Sequence, residues 1–156
     1  MDTSTNRAAF GRSIVLGAAS AAMLAASAPA SAASKTHRIA FHVDRNDPAI
    51  MNLALNNVSN AATNYGAAGE PFEFELVAYG PGLHMLRDDT SPVKDRLASI
   101  KASIPEVTFS ACHVTMLGME KAEGHPIAIV AQARVVPAGV IRLTELQEAG
   151  WSYIKP

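Results

Sequence analysis

Cys112 is the only cysteine among the 156 residues, and it stands where the strand-like run Val107-Thr108-Phe109-Ser110-Ala111 gives way to a helical pattern. A thiol at that place can act as a nucleophile, because the unpaired amides and the dipole at a helix start favour the thiolate and lower its pKa. His113 follows directly and would add positive charge if protonated. His42, at the end of an earlier strand-like run, is a further proton handler or thiolate partner. Cys112, His113 and His42 are therefore the catalytic candidates. Free cysteine is also among the most buried residue types, so the same position suits a small core residue that does no chemistry. Position alone leaves both readings open.

A second constellation uses the same sulfur. Cys112, Met116 and Met119 fall at i, i+4 and i+7 on one helix face, with His84-Met85 elsewhere in the chain. Soft thiolate and thioether ligands suit Cu(I). A methionine stripe at helical spacing equally serves core packing or a subunit contact, and no metal site or cofactor is assigned from the sequence. The glycine-rich phosphate loops, the G-x-S-x-G elbow and the H-E-x-x-H run are all missing. The remaining candidates are ligand contacts. Asp44 follows the first strand, Gly80 and Gly82 flank Pro81 after the second, and Asn56 sits in mid-helix, where asparagine is a mediocre helix former. The bland roles for these residues are a turn start, a tight turn and a solvated face.

The elements that must position these residues follow from periodicity. Arg38 to Val43 reads as a strand, and Asp47-Pro48 supplies an N-cap and a first helical residue. Ile50, Leu53, Ala54, Val58, Ala61 and Tyr65 recur at three- and four-residue steps, predicting a helix from Ala49 to Tyr65 closed by Gly66. Phe72 to Tyr79 alternates and then runs apolar, as a deeply buried strand does. Gly80-Pro81-Gly82 breaks it before a short helix at Leu83 to Leu86. Ser91-Pro92 opens the next helix, with Val93, Leu97, Ile100 and Ile104 as its inner stripe. Beyond Cys112 come a helix over Thr115 to Ala122, an apolar stretch from Pro126 to Val136 whose periodicity decides nothing, a helix around Ile141 to Ala149, and a final strand Trp151 to Ile154. The alternation predicts an α/β fold, a Rossmann-like three-layer sandwich with a mostly parallel sheet of about five strands and helices on both faces. In such sheets ligands bind beyond the carboxyl ends of the strands, where His42, Asp44, Gly80, Gly82 and Cys112 all fall.

Residues 1–32 read as a cleavable signal peptide. Arg7 and Arg12 form a positive start, Ile14 to Ala26 is uncharged, and Ala28-Pro29-Ala30-Ser31-Ala32 offers small-residue cleavage sites. The apolar run falls short of the ~20 residues that span a bilayer. This predicts export to a periplasm, with residues 33–156 as one domain. The formal net charge is −1, and nothing in that balance suggests nucleic acid or an anionic membrane as partner. In an oxidising compartment a single thiol is buried and inert, bridged between subunits, or kept reactive.

Six strings in order carry a family likeness: His42-Val43-Asp44, Asn52-Leu53-Ala54-Leu55-Asn56-Asn57, Ala78-Tyr79-Gly80-Pro81-Gly82-Leu83, Phe109-Ser110-Ala111-Cys112, Val136-Pro137-Ala138-Gly139-Val140 and the ending Gly150-Trp151-Ser152-Tyr153-Ile154-Lys155-Pro156. Together they resemble the DsrE/DsrF-like family, and its small exported single-domain members most. The resemblance implies a Rossmann-like fold that assembles into dimers, trimers or hexamers. It also implies that Cys112 accepts sulfane sulfur from a donor protein, holds it as a persulfide and yields it to an acceptor thiol. On that expectation the protein is a periplasmic sulfur carrier or sulfurtransferase-like subunit. The alternatives are a non-catalytic oligomeric binding module in which Cys112 only packs, and a soft-metal Cu(I) binder.

Overall fold

The structure, a computed structural model, describes residues 35–156. The signal peptide expected at 1–32 lies outside them. Five strands are seen: β1 (His37–Val43), β2 (Phe72–Ala78), β3 (Val107–Cys112), β4 (Ala133–Val136) and β5 (Ser152–Ile154). They form one sheet in the order β4-β3-β2-β1-β5, and every neighbouring pair runs parallel. Four α-helices accompany it: α1 (Pro48–Ala68), α2 (Lys94–Ser103), α3 (His113–Glu123) and α4 (Gly139–Glu148). A 3-10 helix at Gly80–Leu86 precedes α2. The expected Rossmann-like α/β architecture, with helices on both faces of a five-stranded parallel sheet, is the observed one. Among the described residues no helix is long and apolar enough to cross a membrane.

Strand alternation builds two unequal faces. Ile39, Phe41 and Val43, Phe74, Leu76 and Ala78, and Val107, Phe109 and Ala111 point one way and join Met51, Leu55, Val58, Leu97 and Ile100 in the main core. Phe41 meets Phe74 edge to face, at 5.8 Å and 85°, a favoured aromatic arrangement. The opposite face carries only a small cluster, Ala40 and Val77 under Leu143 and Leu146 of α4, with Tyr79 and Trp151 against it.

Topology explains the inequality. From β1 to β4 the chain steps across the sheet in one direction, so the right-handed crossovers place α1, α2 and α3 on one face. The step from β4 back to β5 reverses direction and carries α4 to the other face. The connections leaving β3 and β4 thus part to opposite faces, which makes the carboxyl ends of these two neighbours the switch point of the sheet.

Local chemistry sets the element ends. Asp47 caps α1 by accepting from the Ala49 amide at 2.8 Å, with Pro48 in its first turn. The helix continues through Gly66 and ends at Gly69, one turn beyond the expected stop, because Tyr65 and Gly66 carbonyls find the Gly69 amide there. Ser91 does not head α2 directly. Its hydroxyl is given to the Met85 carbonyl, and the helix starts at Lys94. The ambiguous stretch from Pro126 resolves into an extended loop, tied to Arg87 through Ile129, and the short strand β4.

Candidate functional site

Cys112 ends β3 and precedes α3, at the switch point, as its place in the sequence predicts. Its surroundings come from three elements. Tyr79 follows β2, Gly139 opens α4, and Val114 and Thr115 lie in the first turn of α3. A Cβ on Gly139 would stand 2.9 Å from Tyr79 Cβ and Cδ1 and 3.2 Å from Cys112 Cβ. The side chain of Cys112 is thereby covered, and the residue is 5% exposed. Burial pushes the thiol pKa up, but the Thr115 hydroxyl and the amides of Gly139, Thr115 and Val114 outweigh it and hold the pKa below the ordinary thiol value. No side-chain cap hydrogen bond forms at this helix start. The polar groups at the starts of α3 and α4 thus act on the sulfur electrostatically, from both sides of one strand end.

His42 lies on the same sheet face as Cys112, two strands away, and Tyr79 stands between them. The imidazole is stacked on Tyr79 with centroids 4.5 Å apart and 23° between planes. Its Nδ1 lies 2.7 Å from the Tyr153 Oη of β5. Burial lowers the His42 pKa; Asp44 raises it and Lys155 lowers it in smaller measure. Asp44 itself is held below the usual carboxylate range by its hydrogen bond from Lys155. The strand ends therefore do bring His42, Asp44 and Cys112 to one edge of the sheet, yet His42 and Asp44 are each committed to a partner within the fold and Cys112 is buried.

The other candidates separate from this edge or serve the backbone. His113 is exposed at the head of α3. The helix turn that follows Cys112 directs it to solvent, away from the covered sulfur. Asn56 is exposed on α1, where its Oδ1 accepts from Arg96 Nη2 at 2.8 Å while Asn52 takes Arg96 Nη1, so the pair clamps α1 to α2. Gly80 adopts φ +52°, and its amide donates to Thr115 Oγ1 at 2.9 Å. Gly82 has backbone pressed against it, for a Cβ there would lie 2.3 Å from the Val43 carbonyl oxygen. Both glycines fit the 3-10 helix closely to the end of β1.

The soft-metal constellation is divided by the sheet. Met116 and Met119 pack against the main core, on the face opposite to Cys112. Met119 Sδ also lies 3.7 Å from the Arg87 guanidinium, a cationic neighbour that disfavours a metal cation there. His84 Nδ1 lies 2.9 Å from Thr90 Oγ1, and His84 lines an open cleft with Met119 on the side of the sheet away from Cys112. Among the described residues no group of three or more His, Cys, Asp or Glu could hold a metal ion.

Sequence reasoning missed a buried ionic knot on the α4 face. Glu75 of β2 is 2% exposed; its carboxylate accepts from Ser110 Oγ at 2.7 Å, from Arg142 Nε and Nη2 at 2.8 Å, and from Arg134 Nη2 at 3.0 Å. Burial alone would raise its pKa, but these donors keep it below the usual range. A cavity of about 190 Å³ opens beside the knot, between β4 and α4, lined in part by Arg134, Pro137, Ile141, Arg142 and Glu145. Tyr79, Gly139, Tyr153 and Lys155 were likewise missed as contributors. Their only sequence signal was membership of the six family-like strings.

No family model matches the chain, and no curated protein does. Among solved structures, a protein of unknown function from Methanobacterium thermoautotrophicum, MTH1491, is 30% identical. The match covers 77% of this chain and 99% of that one, with a TM-score of 0.65. The chain belongs to the same family as MTH1491. That relationship carries a fold and brings no sulfur chemistry with it.

The expectation of a persulfide-carrying Cys112 is corrected on these findings. A sulfur carrier must present its sulfur to a donor and then to an acceptor, whereas this thiol is covered by Tyr79 and Gly139 and buried in its own chain. His42 does not reach it and His113 faces away. Covered by its own fold, with neither histidine beside it, Cys112 is placed as a buried structural cysteine.

Proposed function

We propose that this protein is a non-catalytic, self-associating binding module of DsrE/DsrF-like type, exported to the periplasm, in which Cys112 is a buried structural residue. The observation that carries the reading is the apolar surface left open around the switch point. Val114 and Leu117 of α3, Val135 of β4, and Val140 and Ile141 of α4 are all exposed, Ile141 by 56%. α3 begins directly after Cys112, and Gly139 at the head of α4 packs against Cys112 Cβ, so the first turns of the two helices meet at one strand end and their valines flank it. Clustered apolar exposure of this kind marks an interaction site more often than chance surface.

The occupant we assign is a second copy of the chain. The rim of the patch carries opposite charges, with Arg134 and Glu145 each about half exposed. A two-fold axis can set such a rim against itself, because an isologous contact repeats the same patch on both subunits. Strand β4 is a short edge beside this patch, and covering it would remove an unpaired edge from solvent.

Sedimentation velocity across a wide concentration range tests the reading, with Ile141→Glu beside the unmodified protein. The expected result is a concentration-dependent oligomer that Ile141→Glu converts to monomer while far-UV circular dichroism stays unchanged. A monomer at every concentration, or an oligomer indifferent to Ile141→Glu and to Val135→Lys, would overturn it.

A further inference from the structure

We propose that His42 is an acid-sensitive latch for β5, holding the C-terminal strand on the sheet while the ring is neutral and releasing it when both ring nitrogens carry protons. The strand is weakly built otherwise. It has three residues, all exposed, and pairs only with β1, through Ile39 with Ser152, Ala40 with Tyr153 and Phe41 with Ile154. Its other anchors are Trp151, partly buried against Leu143 and Leu146, and the Lys155–Asp44 ion pair, which is solvent-accessible. Surface pairs of that kind contribute little. The contact between Tyr153 Oη and His42 Nδ1 is the anchor that reaches into the protein.

The other ring nitrogen decides what a proton does. His42 is 4% exposed, and its Nε2 is the one buried side-chain nitrogen or oxygen among the described residues that lacks a hydrogen-bond partner. In the neutral ring Nε2 carries either a lone pair or a single N–H. In the imidazolium both nitrogens are donors and the ring bears a full charge. The closed strand then buries a charged donor with no acceptor, at a much higher cost than a neutral one. Lifting β5 takes Tyr153 away from Nδ1 and opens that side of the charged ring to water.

The neighbouring charges do not reverse this. Asp44, in the turn after β1, favours the cation, and Lys155, after β5, opposes it; the two are paired with each other. Tyr79, at the end of β2, offers its ring face, which attracts cations modestly. From α4 come the uncharged Leu143 and Leu146, while Arg142 is locked to Glu75. Burial remains the largest influence, so the closed form titrates below an exposed imidazole. Protons bind the open form better and must favour it, by up to ~tenfold for each pKa unit that separates the two forms.

Trp151 is the only tryptophan and adjoins β5, so its emission and its quenching by acrylamide report the strand directly. Between pH 8 and pH 5 the expected result is a severalfold rise in quenching with a midpoint below ~6.5, far-UV circular dichroism unchanged, and no such transition in His42→Gln. Should His42→Gln fail to fold, Tyr153→Phe is the second variant, with raised quenching expected already at pH 8. A flat response down to pH 5, or the same transition retained in His42→Gln, would overturn the proposal. So would a His42 ring titration by NMR at or above the exposed value.

Discussion

Gly139 and Cys112 approach so closely that a methyl group on the glycine would stand 3.2 Å from the cysteine Cβ, with Tyr79 2.9 Å away on its other side. This contact draws the start of α4 over the end of β3 and makes a well-placed thiol a buried one. Gly139→Ala must displace an aromatic ring and a strand end, a form of overpacking that costs about 1–3 kcal/mol. Gly66→Ala is the control, because that glycine lies inside α1 with open space around it; alanine there should stabilise by about 1 kcal/mol. Urea unfolding of the two variants checks the pair, and equal midpoints would contradict the packing described.

Gly82→Ala should be harsher than either. Its Cβ would meet the Val43 carbonyl oxygen at 2.3 Å, and Val43 carbon and Asp44 Cα within 2.8 Å. Backbone cannot rotate away as a side-chain tip can, so about 3 kcal/mol or more is expected. Thermal unfolding measures it, and a melting temperature near that of the unmodified protein would show that the 3-10 helix can shift freely from β1.

Much of the framework was legible because it is written locally. Asp47-Pro48 marks a helix start through its own hydrogen bond and ring, and strand alternation needs only neighbouring residues. Cys112 at a strand end was read from the same local pattern. What surrounds Cys112 was not, since Tyr79, Cys112 and Gly139 meet only through the register of β2, β3 and β4. Tyr153 and His42 are 111 positions apart, and the pairing of β5 with β1 depends on the long return through α4. Glu75 misled by alternation: Glu73 is exposed as the pattern implies, while Glu75, one pleat further along β2, lies beneath Arg142. The exposure of His113 depended on the turn taken by the first residues of α3, which adjacency to Cys112 does not specify.

Glu75→Gln tests the ionic knot. The carboxylate is buried while Arg134 and Arg142 keep partial access to water, so the loss should be about 2–3 kcal/mol rather than the upper range for a fully buried pair. Its folded-state pKa is depressed. The unfolded chain therefore takes up this proton first as pH falls, so the stabilisation is present above the unfolded carboxylate pKa of ~4.3 and is lost as pH drops toward the lower folded value. Chemical unfolding at pH 7 and pH 3 should show a large difference between Glu75→Gln and the unmodified protein at the first pH and a smaller one at the second. A constant difference would mean that the charge contributes nothing to the knot.

Cys112 makes the last prediction, and here electrostatics and access oppose each other. The amides of Val114, Thr115 and Gly139 favour the thiolate, which taken alone would speed alkylation. Access limits it instead, because the reagent must wait for Tyr79 and the start of α4 to move away from a residue that is 5% exposed. Iodoacetamide should modify the native protein at least ~tenfold more slowly than the denatured chain, at a rate set by local opening. Gly139→Ala, by prising that cover apart, should speed the native reaction. Cys112→Ala should lower stability by about 1 kcal/mol through the lost sulfur contacts and leave the oligomeric state as it was. Rapid alkylation of the native protein, matching the denatured rate, would show instead that the sulfur is presented at the surface.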